Sequence, residues 1–235
     1  MTTPIGIDAY LASNLDLSGR DIRARLALAG ARVLIVPTAT TGEGRAFNPE
    51  KAVPYWDAGA SVAVMDIAAH GFSAVAQALH AADVLHICGG NTFHLLDAAQ
   101  RCRLGDALTW RGRTASESGR PFAVVGESAG AILMCPDIAF AAGMDDPSVA
   151  PNLASTQALG WVDELVVPHY KGEAYGLGVV VDRWLAQEPD PARYTLLRDD
   201  QFLHARHGKD RPQTYTCLAL SKVDPVDLVG LPTLD

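Results

Sequence analysis

The run Gly126-Glu127-Ser128-Ala129-Gly130 has the G-x-S-x-G spacing of a serine nucleophile. It follows the apolar run Pro121–Gly126 and precedes the apolar stretch Ala131–Cys135, so the spacing predicts a strand, a sharp turn and a helix. On such a turn a serine hydroxyl stands clear of the sheet. The backbone there is strained, so its neighbours must be small, as Gly126, Ala129 and Gly130 are. N–H groups that follow the serine can hold an oxyanion, and Ala129 N–H is the first of them. A second small-residue turn, Cys88-Gly89-Gly90-Asn91-Thr92-Phe93, also sits between an apolar strand and a helix. Its glycines let main chain approach a ligand closely, and this loop can supply the second oxyanion donor.

A serine nucleophile needs a base, normally a histidine held by a carboxylate. Of the seven histidines, His70, His80 and His94 fall on helical stretches and His86 within a strand. His169 ends Leu165-Val-Val-Pro-His-Tyr170, at the C-terminal end of a strand, where α/β sheets place their sites. His204 and His207 stand near Asp199 and Asp200 and are also available.

Short apolar, β-branched runs alternate with helical patterns. Strands are expected at Arg32–Pro37, Ser61–Asp66, Asp83–Cys88 and Pro121–Gly126, each nearly continuous in apolar residues, as suits parallel strands covered on both faces. Helices are expected at Arg20–Ala29, Phe72–Ala82, Thr92–Arg101 and Leu104–Ser118. The second half adds strands near Glu164–Pro168 and Tyr194–Arg198, a helix over Leu177–Gln187, and a hairpin of Gln201–Arg206 with Thr214–Leu220 turning at Gly208–Pro212. Gly143–Thr156 is rich in Asp, Pro and Ser and reads as a loop over one end of the sheet. The order predicts an α/β, three-layer sandwich with a mostly parallel, doubly wound sheet, in a single domain over residues 1–235.

Three motifs, taken together, resemble the peptidase E family, serine peptidases of family S51 on a fold related to class I glutamine amidotransferases. They are Gly89-Gly90-Asn91-Thr92-Phe93-x-Leu95-Leu96, then Gly126-x-Ser128-Ala129-Gly130-Ala131 with Cys135-Pro136, then Val167-Pro168-His169-Tyr170. The resemblance is close over residues 80–210. It implies Ser128 as nucleophile, His169 as general base, and Gly90 and Ala129 as the oxyanion hole. Where the family has a glutamate to orient the histidine, Leu197-Arg198-Asp199-Asp200 offers Asp199, with Asp200 as the fallback. Where the family has an arginine for a substrate aspartate, Tyr175 follows Lys171-Gly172-Glu173-Ala174, and a phenol cannot form a bidentate ion pair. Lys171 or Arg198 would have to take that role, or other peptides are preferred over Asp-X. Glu127 stands where the family commonly has an aromatic residue, and can repel an anionic substrate or bind an amino terminus. Asn91, Glu127, Lys171 and Tyr175 are therefore the expected substrate-binding residues.

Composition sets the outer limits. The chain has 235 residues, 49% hydrophobic and 20% charged, which is globular composition. Its net charge of −8 comes from 27 acidic and 19 basic side chains scattered without a basic stripe, so no nucleic-acid partner is expected. No apolar run approaches the roughly 20 residues of a membrane span, and Met1–Pro4 carry no secretory signal. The four cysteines include no C-x-x-C pair, which argues against a structural metal and for reduced thiols in the cytoplasm. The reading is a cytoplasmic, cofactor-free and metal-free exopeptidase for short peptides, with a homodimer left open. Two alternatives stand beside it. One is an α/β-hydrolase esterase using Ser128, Asp199 and His204 or His207; the other is a non-catalytic binding protein on the same scaffold.

Overall fold

A computed structural model describes residues 7–173, 176–206 and 213–216, the last as backbone alone. The strands are β1 (Ile7–Ala12), β2 (Arg32–Val36), β3 (Ser61–Val64), β4 (Val84–Ile87), β5 (Phe122–Glu127), β6 (Leu165–Val167), β7 (Tyr194–Leu196), β8 (Gln201–Arg206) and β9 (Gln213–Thr216). The helices are α1 (Leu15–Arg23), α2 (Thr38–Thr41), α3 (Val53–Asp57), α4 (Phe72–Ala81), α5 (Thr92–Arg101), α6 (Leu104–Ser118), α7 (Ala129–Ile132) and α8 (Leu177–Leu185).

Seven strands form one sheet in the order β3-β2-β4-β5-β1-β8-β9. The first five run parallel, and β8 and β9 join antiparallel at one side. Strand alternation splits the core in two. Leu34, Leu85, Ile87, Val124 and Leu11 pack on one face with α4, α5, α6 and α7. Val33, Ile35, Val84, Val125 and Tyr10 pack on the other with Leu15 and Ile22 of α1 and Tyr55 of α3. The period of two that sends neighbouring residues to opposite faces thus builds the three-layer α/β sandwich expected from the sequence.

Three differences from that expectation matter. Central strand β1 is absent from it: Ile7-Asp8-Ala9-Tyr10 is short and interrupted by a carboxylate, which here bonds His204 and Arg206 on the neighbouring β8. The first helix begins five residues earlier than Arg20, because Asn14 caps it by accepting from the Asp16 N–H at 2.8 Å. Strands β6 and β7 do not extend the main sheet but pair with each other in parallel. The α5 and α6 ranges match the expected ones, and Gly208–Pro212 lies outside the described residues. Among the described residues no helix is long and apolar enough to cross a membrane.

Candidate active site

Ser128 sits on the turn from β5 into α7 with φ 51° and ψ −109°. A positive φ is costly for any residue with a Cβ and persists only where surrounding structure imposes it. Here the imposition is visible. Ser128 N–H bonds the Ala12 carbonyl at 2.9 Å, and its carbonyl accepts from Ala131 and Ile132. A side chain on Gly126 would collide with the Gly130 carbonyl, and one on Gly130 with the Ile87 carbonyl. The small residues around the serine are therefore a packing requirement of the turn.

His169 lies just past β6 and is also held at positive φ, 62°. Its Nε2 is 2.9 Å from Ser128 Oγ and its Nδ1 is 2.7 Å from Asp199 Oδ1. The carboxylate can only accept, so Nδ1 carries the proton and Nε2 is left to accept from the serine hydroxyl. Asp199 follows β7, so the pairing of β6 with β7 is what brings acid and imidazole together. Asp200 instead pairs with Arg198 at 3.1 Å. Ser13, directly after β1, joins the array unannounced by the sequence. Its hydroxyl donates to Asp199 Oδ1 at 3.0 Å and accepts the His169 main-chain N–H at 2.7 Å. Ser13, His169 and Asp199 are all buried.

The Gly89-Gly90 turn comes up against this array. A Cβ on Gly89 would lie 3.1 Å from Ser128 Cβ. Gly90 has φ 136°, and a side chain there would run into the backbone of Ala39 and Thr40. Two bonds fix the loop to α2: Thr40 Oγ1 to the Gly89 carbonyl at 2.7 Å, and Asn91 N–H to the Ala39 carbonyl at 2.9 Å. Gly90 and Ser128 line one cavity of about 450 Å³, together with His169, Ser13, Glu127, Lys51 and Asp145.

The expected substrate-binding residues divide. Glu127 lines the cavity, but its carboxylate is paired. Both of its oxygens accept from Lys51 Nζ, at 2.9 and 2.8 Å, and Oε1 also accepts the Leu15 N–H at 3.3 Å. Burial opposes its ionisation, yet His86 and Lys51 overcome that and hold its carboxyl down at about 2. Lys51 is raised by the same pair against the pull of burial. Asn91 Oδ1 caps α5 by accepting the His94 N–H, and its Nδ2 donates to the Asp146 carbonyl. Lys171 is not among the cavity-lining residues and sets its Nζ 5.0 Å from the Tyr170 ring centre. Tyr175 lies outside the described residues, as does His207. His204 bonds Asp8 at 3.0 Å and stacks on Tyr10, away from the cavity lining.

Lys51, Arg45 and Asp145 also line the cavity and were not signalled by the motifs. Arg45 belongs to the irregular segment after α2 and Lys51 to the short 3-10 helix Pro49–Ala52 before α3, where no periodic pattern marks a face. Asp145 comes from the loop expected over the sheet end. It accepts from the N–H and hydroxyl of Thr92, and burial pushes its carboxyl up.

A strained serine bonded to a buried histidine and carboxylate, above a parallel sheet, defines a hydrolase-like site. The comparisons narrow the class. The family model for peptidase family S51 matches residues 13–211, and the chain belongs to that family. It is 34% identical over 144 residues to an uncharacterized peptidase from Listeria innocua, a match covering 61% of this chain and 66% of that protein. A Listeria monocytogenes peptidase is 33% identical over 63% of this chain and 70% of its own length. The matched stretches thus span about two thirds of these curated relatives. A crystal structure of a candidate peptidase E protein from Listeria monocytogenes EGD-e superposes with a TM-score of 0.75 at 25% identity, covering 90% of this chain and 98% of that one. A peptidase from an acI-B1 actinobacterium shares the fold, with a TM-score of 0.57 at 17% identity over 91% of this chain and 88% of its own. The α/β, class I glutamine amidotransferase-like architecture read from the sequence is the observed one.

Proposed function

We propose that this protein is a serine-type exopeptidase acting on short peptides. Ser128 Oγ attacks the scissile carbonyl while His169 Nε2 takes its proton. Asp199 holds the imidazole in the required tautomer and stabilises the imidazolium. The tetrahedral oxyanion rests on the N–H groups of Gly90 and Ala129. His169 then protonates the leaving amine, and water, deprotonated by the same histidine, releases the acyl group.

The observation that carries this reading is the continuous chain Ser128–His169–Asp199, with both links under 3 Å. It favours the peptidase over the esterase alternative, whose His204 is engaged by Asp8. The 450 Å³ cavity is the size of a site for a small ligand, which suits a substrate of a few residues. Selectivity for an N-terminal aspartate is not part of the proposal. Among the described residues the Lys and Arg side chains lining the cavity are each compensated, Arg45 by Glu43 and Lys51 by Glu127. The buried, unbridged Cys88, Cys102 and Cys135 are consistent with a reducing, cytoplasmic setting.

The test is a panel of free dipeptides and tripeptides, their N-acetylated and C-amidated forms, and simple esters. Turnover of free-ended short peptides, lost in His169→Ala, is the expected result. Ester turnover that survives in His169→Ala and fails in His204→Ala would replace this reading with the esterase. No turnover of any substrate, together with an unreactive Ser128, would leave a binding protein.

A further inference from the structure

The proposed hydrolysis uses neither His86 nor Cys88, yet both are buried beside it. They stand two apart at the end of β4, so their side chains share a face. The parallel register sets Ile87 opposite Gly126, which puts Glu127 next to Cys88 on the adjacent strand. This is the face packed against α1 and α3, where Val84, Val125 and Tyr55 are apolar neighbours or ring contacts. Within that layer the imidazole, thiol and carboxylate donor atoms all lie within 4.8 Å of one another. His86 Nε2 is 3.9 Å from Cys88 Sγ and 3.8 Å from Glu127 Oε2, the latter too long for a hydrogen bond. Among the described residues His86 Nδ1 has no hydrogen-bond partner. A fully buried histidine with so little hydrogen bonding is costly and calls for another reason to be there.

We propose that His86, Cys88 and Glu127 form a binding site for a thiophilic divalent cation such as Zn2+, and that its occupation pulls Glu127 off Lys51 and inhibits the adjacent serine. Three protein ligands of nitrogen, sulfur and oxygen type suit zinc and leave one position open, whereas Mg2+ and Ca2+ prefer oxygen alone. A tetrahedral zinc with ligands at roughly 2.0–2.3 Å sets its donors about 3.5 Å apart, so the two spacings from His86 Nε2, 3.9 and 3.8 Å, need contract by only a few tenths of an ångström, while Cys88 Sγ and the Glu127 carboxylate, within 4.8 Å of each other, close as Glu127 leaves Lys51. Entry is from the cavity, which Glu127 and Lys51 both line. Lys51 is the built-in competitor: its ammonium occupies both carboxylate oxygens, and its flexible, partly exposed stem can carry it back into the cavity. Binding forms zinc–thiolate and zinc–imidazole bonds and releases to solvent the Cys88 thiol proton together with the second ring proton of any His86 imidazolium, with no change of oxidation state. Cys88 and Glu127 directly precede Gly89 and Ser128, so a shift in either disturbs the serine and its oxyanion loop together. Only the inhibition rests on the peptidase reading; the binding does not.

The experiment is a titration of the purified, chelator-treated full chain with Co2+, then Zn2+, followed by absorption and calorimetry. One equivalent should give a thiolate-to-cobalt charge-transfer band that zinc abolishes. Cys88→Ser should lose the band. His86→Gln should weaken zinc binding by about tenfold or more, and Lys51→Met should tighten it by about tenfold, the scale on which neighbouring groups tune such sites. Where Cys88→Ser does not fold, by its melting curve, the wild-type band and the Lys51→Met shift decide. Absence of the band, or zinc affinity untouched by both His86→Gln and Cys88→Ser as for scattered surface histidines, overturns the proposal. Zinc that binds here without slowing an active wild-type enzyme removes the inhibitory part. A protein inactive on every peptide still reports on the site through its cobalt spectrum.

Discussion

Two buried histidines flank the segment Glu127-Ser128, and each has a carboxylate beside it. They are used in opposite ways. His169 occupies a turn at positive φ and has every polar group engaged: Nδ1 with Asp199, Nε2 with Ser128, main-chain N–H with Ser13. His86 sits in a regular strand, 3.8 Å from a carboxylate that Lys51 bonds through both oxygens, and among the described residues its Nδ1 has no hydrogen-bond partner. Burial and a nearby acid are therefore not what sets the proposed base apart. What distinguishes His169 is a fixed tautomer and a hydroxyl within reach, both supplied by loops that the sheet brings together.

The comparison can be broken at several points. His169→Ala should cost roughly 10³–10⁶ in kcat with the melting temperature little changed, as at other serine–histidine sites. A comparable loss in an otherwise intact His204→Ala would overturn the assignment. Asp199→Asn should come next, at about 10³–10⁴, because an amide no longer fixes the imidazole tautomer. A loss under about tenfold would pass the acid's role to another group.

The other side of the pair answers to pH rather than to catalysis. Glu127 binds its proton less readily when folded, at about 2, than when unfolded, near 4.5. Its contribution is therefore complete above pH 4.5 and is lost as pH falls from there towards 2, on the order of 3 kcal/mol for a buried group. Denaturant melts of wild type and Glu127→Gln should converge across that window. Parallel curves would mean that the ion pair with Lys51 is neutral for stability. Smallest is Ser13→Ala, which removes one buried hydroxyl shared by Asp199 and His169. About 1–2 kcal/mol of stability and about tenfold in kcat are expected, the cost of leaving both partners one bond short. No change in either would make Ser13 a bystander.

The parallel sheet was legible because nearly continuous apolar runs such as Arg32–Pro37 and Pro121–Gly126 suit strands buried on both faces. The elbow was legible because its glycines answer a steric demand that no other residue meets. Strand β1 was not: its alternation is broken by Asp8, whose partners lie some two hundred positions away on β8. With β1 went Ser13, which has meaning only once that strand is seated beside β5. Asp199 was picked out by position in a motif, but the choice over Asp200 depends on how β7 leaves its partner β6. Lys51 had no local signal, since its role exists only through Glu127, far along the chain. Asn91 could be read in one dimension either as a helix cap or as a ligand-binding amide, and the cap is the role visible in the fold.

The central claim is that Ser128 is made nucleophilic by His169, and a fluorophosphonate probe tests it most directly. Mass spectrometry of the labelled wild-type protein should find one adduct, on Ser128, that vanishes in Ser128→Ala and forms far more slowly in His169→Ala. An unlabelled Ser128, or an adduct whose rate ignores His169, would contradict the account.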